Sequence, residues 1–80
     1  MDRPFLGEIC LFPFNFVPIG WMACEGQLLH MGQFTALFEL VGTTFGGDGM
    51  THFALPDLRG KAPPELQYFI SMTGISPSRN

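Results

Sequence analysis

Residues that could perform acid–base or metal chemistry are few in this sequence and lie far apart. His30 and His52, the two histidines, are 22 positions apart and have no Asp, Glu or Cys at the spacing of a usual metal site. Each is therefore predicted to be a surface or capping residue, although one histidine on a threefold axis would supply three ligands. Ser71, Ser76 and Ser78 have no nucleophile-elbow motif and no His–Asp arrangement around them. We predict no catalytic residue, no metal site and no cofactor.

Two cysteines, Cys10 and Cys24, leave two interpretations open. They would form a disulfide if their strands lay side by side, but two cysteines in a chain without an export signal are more often buried thiols. One pair separated by 13 residues is also a poor zinc signature, because structural zinc usually takes two close pairs of ligands.

A glycine-rich loop over residues 42–52 contains the run Gly-Gly-Asp-Gly at 46–49. This run resembles a phosphate-binding loop only loosely, since it lacks the Gly-Lys-Ser/Thr ending and precedes a strand. One carboxylate is also too few for a usual calcium loop. The sequence favours a turn, with an exposed recognition loop as the alternative. The candidate recognition residues are Thr43, Thr44, Asp48 and His52, together with Trp21, whose other interpretation is a core anchor.

The five residues Pro56, Asp57, Leu58, Arg59 and Gly60, which we call the hook, combine a fixed backbone with a charged pair. One interpretation is a structural tie between chain segments, in which Asp57 bonds backbone amides. The other is an Asp–Arg pair that binds a carboxylate or phosphate ligand. No second acid, base or nucleophile lies nearby in sequence, which favours the tie.

The composition indicates association with other chains. Only 14% of the 80 residues are charged and the formal net charge is -3, which disfavours nucleic-acid binding. No run is long enough for a membrane span, and the N-terminus lacks the pattern of a signal peptide. Hydrophobic residues make up 46%, which is more than a small domain easily buries. We predict an apolar assembly surface from Phe12, Phe14, Phe16, Phe45 and Phe69.

Hydrophobic periodicity predicts an α+β fold with one short helix over about 33–41. Phe34, Leu37, Phe38 and Val41 recur at helical spacing, Gly32 would serve as N-cap, and Gly42 would follow as a left-handed C-cap. Alternating or apolar runs predict the strands. These are about 5–12, 20–24, 53–55 and 66–73.

An ordered series of motifs resembles the phage tail-collar domain family, which includes the bacterial microcystin-dependent proteins. The resemblance covers about residues 4–61. It is carried by Phe-Leu-Gly-Glu-Ile at 5–9, Pro-Ile-Gly-Trp-Met-Ala-Cys-Glu-Gly-Gln-Leu-Leu at 18–29, the segment 35–49, and Thr-His-Phe-Ala-Leu-Pro-Asp-Leu-Arg-Gly at 51–60.

The sequence departs from that family after the hook. Longer members continue with a Gly-, His- and Asn-rich segment, whereas here a Pro-rich linker at 62–65 leads into residues 66–80, which resemble the family's closing strand and ending. The resemblance thus implies a single domain over 1–80 with a collar core at 1–61 and without the distal insert.

The resemblance implies a non-enzymatic module that forms homotrimers in tail fibres, prophage-derived or tail-like particles. Its partners would be copies of itself and other tail or fibre proteins, and it would be made in the cytoplasm and assembled into a virion tail or a released or surface-exposed particle. The alternative is an adhesin-like module, in which the 43–52 loop and Trp21 recognise a cell-surface glycan or protein.

Overall fold

The computed structural model describes residues 4–13, 15–16 and 18–75. Phe14 and the segment 76–80 lie outside them. The described chain confirms the α+β fold, with one helix and two small antiparallel sheets. In chain order the elements are β1 (Ile9–Pro13), β2 (Trp21–Ala23), β3 (Leu28–His30), α1 (Thr35–Val41), β4 (His52–Ala54) and β5 (Leu66–Ser71).

The larger sheet has the strand order β1-β5-β2, so the last strand in the chain lies in its centre. β5 is antiparallel to both neighbours, with Ile70 opposite Ile9 on one side and opposite Met22 on the other. Because side chains alternate along a strand, these three residues share one face. Ile70 is buried in the core and Met22 packs against it, whereas Ile9 at the edge of the sheet is 41% exposed. Phe69, with Cys10 and Ala23 opposite it, lies on the other face.

β1 and β5 are shorter than predicted. Gly7 has a φ of +82° and so interrupts the extended chain before β1, which begins at residue 9 rather than 5. β5 ends at Ser71 rather than 73, because Gly74 adopts a φ of +121° directly against the Pro4 carbonyl. These two bends bring residues 4–6 beside residues 74–75, with the Leu6 N–H donating to the Ile75 carbonyl at 2.8 Å.

The smaller sheet pairs β3 with β4, and β3 was not predicted. β3 has only three residues, which are too few to show the alternation of apolar and polar side chains that predicts a strand. It is recognised as a strand only through its pairing with β4, in which Leu29 lies opposite Phe53. Both of these side chains are buried in the core.

Helix α1 begins at Thr35, two residues later than predicted, and the prediction of Gly32 as N-cap was wrong. Phe34 occupies the N-cap position without a side-chain hydrogen bond. The helix ends before Gly42, as predicted, and the Gly42 N–H donates to the Phe38 carbonyl at 2.7 Å. With a φ of +60° and a ψ of -149°, however, Gly42 does not adopt the left-handed helical C-cap that was predicted. The predicted apolar face packs on the core, with Leu37 fully buried.

One hydrophobic core joins the helix to both sheets. Phe53 is its largest fully buried side chain, and it contacts Phe38 with ring centroids 5.4 Å apart. Burying such a ring contributes about 1.5–3 kcal/mol. The buried members of the core cluster are Leu6, Cys24, Leu29, Leu37, Phe53, Leu55 and Ile70.

Candidate functional site

The face of the larger sheet opposite the core carries an aromatic cluster of Phe12, Phe16, Trp21 and Phe69. The ring of Phe12 is its centre, with centroid distances of 5.2 Å to Trp21, 5.8 Å to Phe69 and 5.9 Å to Phe16. The contacts with Trp21 and Phe69 are edge-to-face, the arrangement that aromatic quadrupoles favour. Three strands or their connections therefore bring together residues that are far apart in sequence.

The four residues of the aromatic cluster differ in how far their side chains are exposed to solvent. Phe69 is 2% exposed, so its place in the predicted assembly surface was wrong: it is already buried within its own domain. Phe16 is 50% exposed, and Phe12 and Trp21 are half-buried. Trp21 thus contacts Phe12 of the aromatic cluster, and no aromatic contact joins it to the described residues of the 43–52 loop.

Phe45 lies apart from the aromatic cluster, at an apolar groove with a volume of about 380 Å³. Phe45 is 50% exposed, and Ile9 at the edge of β1 is 41% exposed. Thr44 is the one residue with a polar side chain in the lining of this groove, which we call the Phe45 groove. It is lined by Leu6, Gly7, Ile9, Leu40, Val41, Thr44, Phe45, Pro56 and Ile70.

Within the 43–52 loop, the Asp48 carboxylate accepts hydrogen bonds from neighbouring residues of the same loop. Its Oδ1 accepts the N–H groups of Met50, Thr51 and His52 at 2.9, 2.9 and 3.0 Å, and its Oδ2 accepts the Thr51 hydroxyl at 2.9 Å. These bonds, the one from His52 first, hold the pKa of Asp48 far below its ordinary value. The carboxylate shapes the turn, whereas Thr43, Thr44 and His52 are exposed.

His30 and His52 are brought together by the pairing of β3 with β4. They lie directly opposite each other, with ring centroids 5.3 Å apart and planes at 75°. Both side chains are exposed. Sequence reasoning separated them, because β3 was not predicted and nothing else signals that positions 22 apart meet.

The hook ties chain segments together through its backbone. The Leu58 N–H donates to the Cys24 carbonyl at 2.9 Å, and the Gly26 N–H donates to the Pro56 carbonyl at 3.2 Å. Pro56 is buried and Leu58 packs against the core.

The charged pair of the hook faces solvent and closes on itself. Arg59 Nε and Nη2 donate to Asp57 Oδ1 and Oδ2 at 2.9 and 2.8 Å. These hydrogen bonds lower the pKa of Asp57 to about 2, and the side chains remain 63% and 48% exposed for Arg59 and Asp57. An exposed pair of this kind contributes little stability.

Neither cysteine has the character of a reactive nucleophile. Both are free thiols in the described structure, and burial raises the pKa of Cys24 to about 11. The pKa of Cys10 is also raised, mainly by burial and then by the hydrogen bond that its thiol donates to Glu8 Oε2 at 3.3 Å. Within residues 4–13, 15–16 and 18–75, no three His, Cys, Asp or Glu side chains form a group that could hold a metal ion.

In the described part of the chain, no helix has the length and apolar character needed to cross a membrane. The described residues form a small α+β domain that carries an exposed aromatic cluster and an apolar groove.

The phage tail collar domain model matches residues 7–63, and the chain belongs to this family of structural domains. No curated protein and no solved structure gives a match. Family membership identifies a phage tail fibre structural module and a component of virion tails that associates with other tail or fibre proteins. The match ends before β5, although β5 completes the larger sheet.

Proposed function

We propose that this chain is a non-enzymatic assembly module of a phage tail fibre or tail-like particle and that it associates with copies of itself, as a homotrimer, through its apolar surface. The observation that carries the proposal is the amount of large apolar side chain left exposed in a domain of 80 residues. Soluble monomers rarely leave apolar patches of more than a few hundred Å² uncovered. The exposed residues are Phe5, Ile9, Leu11, Phe16, Ile19, Leu28, Phe45, Met50, Leu66 and Ile75.

Two parts of this surface support a buried contact better than the rest. Phe16 belongs to the aromatic cluster: its ring packs against Phe12, and half of its surface is exposed to solvent. Phe45 and Ile9 stand at the Phe45 groove. Aromatic side chains held by neighbours lose little entropy on binding, which is why they dominate the energetics of interfaces.

β1 adds a third feature, because it is an edge strand of the larger sheet. Two of its apolar residues, Ile9 and Leu11, are 41% and 40% exposed. An unprotected edge with apolar side chains favours pairing with another chain. A closed ring of three copies would cover such edges and leave none open for further growth.

Multi-angle light scattering at micromolar concentration tests the proposal. The expected mass is three times the 8.9 kDa of one chain. Phe16→Gln and Phe45→Gln should each shift the protein toward monomer, whereas Met50→Gln is the matched control, since Met50 is 82% exposed and lies outside both contacts. A wild-type chain that stays monomeric would remove the basis of the proposal.

The adhesin-like role is the second candidate, and the exposure of Thr43, Thr44 and His52 in the 43–52 loop supports it. A glycan or surface protein would then meet the loop alone, because the contacts of Trp21 lie in the aromatic cluster. Binding of the wild-type chain to host cells, lost in a Thr43→Ala, Thr44→Ala double variant, is expected in this case. Unchanged binding by that variant, or a glycan array without hits, would argue against it.

A further inference from the structure

The His30–His52 pair occupies the position in an antiparallel ladder where side chains approach most closely. The Met31 N–H donates to the Thr51 carbonyl at 2.9 Å, and the Leu55 N–H donates to the Gln27 carbonyl at 3.0 Å. Hydrogen-bonded and non-hydrogen-bonded pairs alternate along such a ladder, so the histidines form a non-hydrogen-bonded pair. The Cβ atoms of such a pair lie about 4.5–5.5 Å apart on the same face.

The loop orients the ring of His52 through a chain of hydrogen bonds. The Thr51 hydroxyl donates to Asp48 Oδ2 at 2.9 Å, so its oxygen is left to accept a hydrogen bond from His52 Nδ1, which is 2.8 Å away. The proton of the neutral ring therefore sits on Nδ1, and Nε2 keeps its lone pair. Metal-binding histidines usually donate the N–H of the other ring nitrogen to a hydrogen-bond partner, as His52 does here to the Thr51 hydroxyl.

The ring of His30 is also held in place. Its Nδ1 accepts the N–H of Gly32 at 3.1 Å. Coordination through Nε2 requires the His30 proton to move from Nε2 to Nδ1. The Gly32 N–H then loses its acceptor on the ring and donates a hydrogen bond to water instead. The change costs little, because both residues are exposed and water replaces the lost bond.

We propose that His30 and His52 chelate a divalent transition-metal ion of the Zn²⁺, Ni²⁺ or Cu²⁺ class through their Nε2 atoms. Imidazole suits these ions, and with metal–nitrogen distances of about 2.0–2.1 Å the two nitrogens of a tetrahedral site lie about 3.3 Å apart. The ring centroids lie 5.3 Å apart on one face of the smaller sheet, so ion binding requires the two Nε2 atoms to approach each other to this separation. Water completes the coordination, so the ion binds more weakly than in a closed structural zinc site.

Isothermal titration with Zn²⁺, on protein freed of any histidine tag, tests this site. One saturable site per chain is expected, and His30→Ala and His52→Ala should both abolish it. Thr51→Val should weaken binding by about 10-fold, the usual loss for a residue that orients a metal-bound histidine. Thr43→Val is the matched control, because Thr43 is exposed in the same loop.

A cysteine control separates this site from thiol binding. Cys10→Ser should leave the Zn²⁺ affinity unchanged, and Ni²⁺ should broaden the imidazole resonances of both histidines together. Circular dichroism without metal checks that the exposed His30→Ala and His52→Ala variants remain folded. Loss of binding in Cys10→Ser, or full affinity in either histidine variant, would overturn the proposal, as would the absence of saturable binding by the wild-type chain.

Discussion

The exchange of Gly47 for alanine should be one of the most damaging single-methyl changes in the 43–52 loop. Gly47 has a φ of +99°, and a Cβ placed there would lie 2.5 Å from the Phe53 Cα and 2.6 Å from the His52 carbonyl oxygen. Non-bonded carbon atoms pack at about 3.5–4.0 Å, so the backbone of β4 would have to shift by about 1 Å. Phe53 is fully buried, so the shift would propagate into the core.

The chain offers a matched control at Gly60. Its φ is +79°, but an added Cβ would meet nothing within 4 Å, so Gly60→Ala measures backbone strain alone. That strain costs roughly 1–2 kcal/mol, and forcing extra volume into a packed site adds roughly 1–3 kcal/mol. We expect a loss of about 1 kcal/mol for Gly60→Ala and about 3 kcal/mol or more for Gly47→Ala.

Urea unfolding followed by the fluorescence of the single tryptophan measures both variants. A domain of 80 residues has roughly 4–12 kcal/mol of stability, so the loss at Gly47 is a large fraction of the total. Each kcal/mol should lower the melting temperature by roughly 4–8 °C. Equal losses in the two variants would refute the close approach of the loop to β4, whereas an unfolded Gly47→Ala beside a folded Gly60→Ala would agree with it.

Three further predictions concern the aromatic cluster, the loop carboxylate and the thiols. Phe69→Ala should cost about 3–5 kcal/mol in urea unfolding because its ring is buried, and Phe16→Ala clearly less because half of its ring is exposed; equal costs would contradict the burial. The folded chain lowers the pKa of Asp48, so the Asp48 carboxylate stabilises the fold above its ordinary pKa of 3.8, and this stabilisation is lost as the pH falls from that value toward the lowered one. Melting temperatures measured over a series of acidic pH values should fall less steeply in Asp48→Asn than in the wild type. Ellman's reagent should modify the half-buried Cys10 before the buried Cys24, and modification at equal rates would show that the fold opens readily.

The parts of the fold that sequence reasoning predicted are those specified locally. Helix α1 has its apolar face at Phe34, Leu37, Phe38 and Val41, and the alternation along β5 spans enough residues to be recognised. β3 has three residues and depends on pairing with β4, so no local pattern indicates it.

The candidate sites show the same limit. Phe16 and Phe69 are the same residue type, and which one is covered depends on the packing of the folded chain rather than on either residue's neighbours in sequence. The meeting of His30 with His52 follows from the register of two strands joined by a helix and a long loop. Sequence reasoning supplied the residues, but their partners come from tertiary pairing.

The central position of β5 has a consequence for how quickly the domain folds. Ile9 pairs with Ile70, about sixty residues away, and β1 and β2 are joined only through β5. No pair of strands in this sheet can form until this long loop closes, and its closure costs conformational entropy. Domains whose contacts join distant parts of the sequence therefore fold slowly. Until β5 arrives, β1 and β2 are unpaired strands with Phe12 and Trp21 uncovered. This is the interval in which a nascent chain most easily meets another copy of itself.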